Sequence, residues 1–140
     1  RHRRHTSRVA EGWREAVRRR GLEGIVAVHA ASWRVLVACN DRTGAASPAL
    51  RTLLLQEMIG RGVLCQGYFV PCFAHGDDDI ETVVSAFDAA TAIYAQALDG
   101  DIGDFLIGGA TRPVFRKWNG CRQLCPATPC PHEADCRRDR

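Results

Sequence analysis

One long helical stripe near the middle of the chain constrains its fold more than any other feature. Ile80, Val83, Val84, Phe87, Ala90, Thr91, Tyr94 and Leu98 recur at i, i+3, i+4 and i+7 spacing, which predicts an amphipathic helix over 77–98. A helix with so continuous an apolar face has to be covered by other elements of the same core. Asp77, Asp78, Asp79 and Glu81 open it, where unpaired N–H groups and the positive end of the helix dipole stabilise carboxylates. A run of acids also raises calcium or magnesium binding. Here it lacks the spaced oxygen ligands and the glycine of a calcium loop, so the acids read as a helix start.

The candidates to cover the stripe lie upstream. From Ser7 to Arg20 the apolar positions Val9, Ala10, Trp13, Ala16 and Val17 fall at helical spacing, and Gly21 follows an arginine-rich last turn that suits a helix end. "GIVAVHAASWRVLVACND" carries two valine-rich runs, Ile25 to His29 and Trp33 to Cys39, that read as an antiparallel strand pair. Ser47 and Pro48 form an N-cap and first helical residue, predicting a helix over 48–60 with Leu50, Leu53, Leu54 and Met58 on one face and Gly62 closing it. "VLCQGYFVPCF" is extended by composition until Pro71 removes a ladder donor. After Leu98 come a short loop or helical turn and the run Phe105 to Ile107. The Gly108–Gly109 pair there is too little for a phosphate cradle. From Asn119 the prolines, charges and scarce large apolar groups of "CRQLCPATPCPHEADCRRDR" predict a disordered tail over 120–140. The expected architecture is α+β, one domain over 1–119, with a three- or four-stranded, mainly antiparallel sheet and helices packed on one face.

Charge and cysteine usage narrow the function classes. The formal net charge of +3 is concentrated at the start, in Arg1, Arg3, Arg4, Arg8, Arg14, Arg18, Arg19 and Arg20. Such clustering can attract nucleic acid, but Trp13 is the segment's lone stacking platform, and a solvated helix face is the expectation. The alternative function is a stand-alone binding or regulatory module whose arginine-rich helix contacts an acidic partner. No apolar run approaches the roughly 20 residues that cross a bilayer, and the N-terminal segment lacks the apolar core of a signal peptide, so a cytoplasmic protein without membrane contact is expected. Of the seven cysteines, Cys39, Cys65 and Cys72 read as reduced core residues. Cys121, Cys125, Cys130 and Cys136, with His132 among them, resemble a zinc-ligand inventory. The Cys121/Cys125 spacing suits a chelating pair, the later spacings are wider, and no knuckle pattern repeats, so no metal site is assigned. No Ser/His/Asp set can be assembled from spacing. His75, between an aromatic extended run and a helix start, is the best single polar candidate for contact with a ligand.

Taken in order, these segments resemble the C-terminal small domain of class III aminotransferases, the fold-type I pyridoxal-phosphate enzymes, and within them the glutamate-1-semialdehyde 2,1-aminomutase branch. "LRTLLLQEMIGRGVL" resembles the helix and turn that enter that domain's later strand. "FVPCFAHGDDDIETVVSAFDAA" resembles its aromatic/proline, small residue, His, acidic, Ile and long-helix pattern. "RVLVACND" resembles the strand before, and "FLIGGATRPVFRKWN" the tail of an aminomutase-like subgroup. The likeness spans about Ser7 to Asn119. It implies a lobe that closes one side of a substrate cleft, with Tyr68, Phe69, Pro71 and His75 in the run facing that cleft. It implies pyridoxal phosphate in the parent enzyme and a large cofactor-binding domain as partner. The chain also departs from the pattern: its single lysine, Lys117, is in no motif resembling the cofactor lysine, so no catalytic or cofactor-binding residue is assigned. Gly76 stands where Thr or Ser is usual. Alone, the lobe is expected to be inactive and to expose apolar surface that favours self-association.

Overall fold

The computed structural model describes residues 2–111; Lys117 and the candidate zinc ligands Cys121, Cys125, Cys130, His132 and Cys136 lie outside the described residues. In chain order the elements are α1 (His2–Arg19), β1 (Val26–Ala30), β2 (Val35–Cys39), α2 (Pro48–Gly60), β3 (Tyr68–Phe69), α3 (Asp77–Asp99) and a 3-10 turn over Ile102–Asp104. The strands form one antiparallel sheet in the order β1-β2-β3, giving an α+β fold with three helices.

The long stripe is covered from two sides, by α1 and by α2. On the α1 side, Val9, Ala10, Trp13, Ala16 and Val17 are all buried, and the Trp13 ring stacks on Phe87 with centroids 4.4 Å apart and planes 14° apart. A Cβ placed on Gly12 would lie 2.5 Å from Val84 Cγ1, so the missing side chain sets how closely these helices approach. On the α2 side Leu50, Leu53, Leu54 and Met58 are buried against α3. Each fully buried large apolar side chain contributes about 1.5–3 kcal/mol, which is why the helical periods in the sequence translate so directly into this layer.

The helix ends follow from local chemistry. Ser47 Oγ accepts the Leu50 N–H at 3.2 Å and Pro48 takes the first helical position. At the other end of α2, Gly62 adopts φ +82 and donates to Ile59 O, while Val63 N–H reaches back to Met58 O at 3.0 Å, a pattern that satisfies otherwise orphaned carbonyls. Gly21 and Leu22 close α1 in the same way, onto Arg18 O and Val17 O. At the start of α3, Gly76 has no side chain to cap with, yet its own N–H donates to Asp79 Oδ2 at 2.7 Å. The return half of a capping box is therefore kept although the Thr or Ser half is missing.

Two sequence expectations are corrected. Helix α1 starts at His2, five residues before the expected start at Ser7, because His5 and Thr6 are buried and Arg4, His5 and Arg8 all converge on Asp77. That tertiary contact is invisible to periodicity. Cys72 is exposed, unlike the buried Cys39 and Cys65, because it follows Pro71 into a turn rather than continuing the strand. No helix among the described residues is long and apolar enough to cross a membrane.

Candidate docking face and cleft segment

Strand register divides the sheet into two unlike faces. Val26 pairs with Cys39 and Val35 with Phe69, and all four are buried on the side that meets the helices. One step along, His29 pairs with Leu36 and Leu36 with Tyr68, forming a row on the opposite face. There His29 is exposed, Leu36 half-buried and Tyr68 42% exposed. No described element packs over that row.

The segment from Gly62 to Pro71 alternates exposed and buried at every residue, the period of a strand with one face in the core. Val63, Cys65, Phe69 and Pro71 point inward, whereas Leu64, Tyr68 and Val70 point outward. Only Tyr68 and Phe69 pair as ladder residues. The chain turns at Gly67, which adopts φ +85, and Arg51 occupies the space beside it and donates to Gln66 O at 2.6 Å. Past Pro71 the chain folds back: His75 N–H donates to Cys72 O at 3.2 Å and Cys72 N–H donates to His75 Nδ1 at 2.8 Å. The imidazole also lies against Phe69, ring centroids 5.2 Å apart.

The four cleft candidates thus separate. Phe69 and Pro71 are core residues that hold the segment down. Tyr68 and His75 keep exposed surface, and His75 has a fixed tautomer: Nδ1 accepts from the backbone, so the neutral ring carries its proton on Nε2. In that state the ring offers a hydrogen-bond donor rather than a base. The Tyr68 hydroxyl lies 3.5 Å from Gln66 Oε1. No group of three or more His, Cys, Asp or Glu among the described residues is arranged to hold a metal ion.

Nearby, a cavity of about 420 Å³ is lined by Cys39, Asn40, Ser47, Arg51 and Thr111, among others. Burial pushes the Cys39 thiol up to about 12, only partly offset by Arg51, and raises Cys65 for the same first reason. Thiols so displaced from the thiolate form are poor nucleophiles. Burial likewise raises Tyr94, whose hydroxyl donates to Asn40 O at 2.7 Å. The segment after α3 is fastened to α2 by Gln56, whose Nε2 donates to Phe105 O at 2.9 Å and whose Oε1 accepts from Ile107 N–H at 2.8 Å, and by Thr52, whose Oγ1 accepts from Thr111 N–H at 2.9 Å. No motif in the sequence marks Gln56, Arg51 or Arg34. The first two bond to backbone carbonyls far along the chain, which no local pattern reveals.

Five arginines of α1, and Arg20 just past its end, are engaged within the chain. Arg4 and Arg8 meet Asp77, Arg18 meets Glu15, Arg19 and Arg20 share Asp88, and Arg14 donates to Val28 O at 3.4 Å. Compared with protein-family models, with curated proteins and with solved structures, the chain matches none of them.

Proposed function

We propose that this chain forms the small lobe of a class III, fold-type I aminotransferase-like enzyme, nearest the glutamate-1-semialdehyde aminomutase branch. In that reading it shapes one wall of a cleft for amino-group transfer or migration. The observation that carries the reading is the run from α2 through the extended segment and the His75 turn to the acid-led α3, which keeps the order and spacing of the resembling motifs. The lobe's contribution is to present Tyr68 and the Nε2–H of His75 beside a substrate and to exclude water there.

Pyridoxal phosphate supplies the electron sink in that family and is held by a lysine Schiff base. The residues described here do not fit it: the only lysine is Lys117, outside the described region, so no step through the cofactor is assigned to this lobe. The cofactor belongs to the large domain, in the same or another polypeptide. The alternative of an arginine-rich helix reading an acidic partner is weakened by the pairing of those arginines with Asp77, Glu15 and Asp88.

The test is titration of the 140-residue chain with pyridoxal phosphate and an amino donor, followed by borohydride. The reading predicts no turnover and no pyridoxyl-lysine peptide, and turnover sensitive to Tyr68→Phe and His75→Ala once a large class III domain is supplied. Unaided turnover, or reductive trapping of the cofactor on Lys117, would contradict it.

A further inference from the structure

We propose that the cavity between α1 and the β1–β2 turn binds a small phosphorylated polyol, its phosphate held at the Arg3 end and its hydroxyls at Glu11 and Arg14. The site shares no residue with the cleft segment, and it stands or falls independently of the small-lobe reading.

The cavity, of about 320 Å³, falls in the size range of small-molecule sites. It exists because both of its walls are built from small side chains. The buried Ala10 lines it from α1, and the turn supplies Ala30, Ala31 and Ser32. Thr6, also buried, ties the walls together: its Oγ1 donates to Ser32 O at 3.5 Å. Within the turn, Ala31 N–H donates to Arg34 O at 2.9 Å.

The charges that α1 leaves unused gather here. Arg3, Ser7, Ala10 and Arg14 follow at i, i+4, i+7 and i+11, which is one face of a helix, and Glu11 joins them in the lining. Arg4, Arg8, Arg18 and Arg19 each meet a carboxylate. Arg3, Glu11 and Arg14 meet no oppositely charged group among the described residues, and Arg14 reaches only the Val28 carbonyl, at 3.4 Å.

The order of these groups along the helix selects the ligand. At one end Arg3 is accompanied by the hydroxyls of Ser7 and Ser32, and Glu11 stands about 12 Å farther along the axis. A guanidinium with hydroxyl donors and no acid beside it suits a phosphate dianion. At the other end an acceptor, Glu11, sits one turn from a donor, Arg14, and together they match neighbouring hydroxyls, which both give and accept hydrogen bonds. A bare anion would leave Glu11 without a partner, and a simple amino acid would be served by Glu11 and Arg14 and leave Arg3 idle. No aromatic side chain is among the described residues of the lining, so a nucleobase has no platform to stack on. A polyol phosphate uses both ends.

The test is amide-shift titration of the isotopically labelled full chain with glycerol 3-phosphate, with inorganic phosphate, glycerol and glutamate run alongside. Glycerol 3-phosphate should give saturable shifts centred on Ser7, Glu11 and Ala31, bind more tightly than inorganic phosphate, and have no counterpart with glycerol. Arg3→Glu should weaken both phosphates by about tenfold or more with the melting temperature unchanged. Glu11→Gln should weaken glycerol 3-phosphate by about threefold while leaving inorganic phosphate no weaker, a split that a loss of structure would not produce. Ala31→Leu, at an exposed turn position, should fill the cavity and abolish binding in a chain that still melts normally. Absence of saturable shifts, shifts centred elsewhere, glutamate binding more tightly than glycerol 3-phosphate, or indifference to Arg3→Glu would overturn the proposal.

Discussion

The two edges of the sheet are finished differently. At the β1 edge, α1 lies alongside, and Arg14 reaches the Val28 carbonyl that points away from β2. At the β3 edge Arg51 takes the Gln66 carbonyl, and beyond it Tyr68, Val70 and Phe73 stand in solvent. The first edge is closed by the chain itself. The second is closed only as far as α2 can reach. The same contrast runs through the layers: α3 is enclosed between two helices and its Asp77, Asp88 and Asp99 meet arginines within the chain, whereas the outer sheet face carries the row His29, Leu36 and Tyr68. One side of the molecule is closed by the chain's own contacts, and the other leaves apolar side chains exposed.

Substitutions on the two sides should therefore differ in kind. Trp13→Ala removes the ring stacked on Phe87 and should cost about 3–5 kcal/mol, read as a large fall in the urea midpoint. A small effect there would break the claim that the α1–α3 seam is the self-sufficient side. Alkaline pH probes the same core. Cys39 and Tyr94 have folded pKa values raised above their unfolded ones, so the folded state keeps protons that the unfolded state loses. Their contribution is complete below about pH 9 and is lost as pH rises toward about 12, at up to about 1.4 kcal/mol per pH unit for each group. Cys39→Ala should flatten part of that slope in pH-dependent melting.

Gly12→Ala sharpens the comparison further. In an exposed helix this change would stabilise by about 1 kcal/mol; against Val84 it should instead cost about 1–3 kcal/mol through overpacking, measured by thermal denaturation. Ser47→Ala removes the α2 cap and should cost about 1 kcal/mol. On the open side, Tyr68→Ser and Val70→Ser should change stability by no more than about 0.5 kcal/mol while reducing concentration-dependent association in light scattering. A large loss of stability from either would mean that the open face already serves the fold of the isolated chain.

The self-sufficient side was legible in the sequence because it is governed by local period and local chemistry. The α2 bounds follow from Ser47, Pro48 and Gly62, and the α3 span from the Ile80 to Leu98 stripe. The apolar positions of α1 were also readable, but its true start was not, since it depends on Asp77 lying beside Arg4, His5 and Arg8. The open side was harder to read. Alternation around Pro71 announced an extended run, yet which of Tyr68, Phe69, Pro71 and His75 face outward is decided by strand register. Cys72 differs from Cys65 because a turn closed by His75 intervenes.

The most direct test of this asymmetry is residue-resolved amide hydrogen exchange on the isolated, dilute chain. Amides in the middle of α3, such as Phe87 and Ala90, should exchange only through global unfolding. The outward-facing Tyr68 and Val70 amides should exchange within about tenfold of the unstructured rate, with Phe69 between them protected by its pairing to Val35. Tyr68 and Val70 amides as slow as those of α3 would show a face already covered, and would contradict the account.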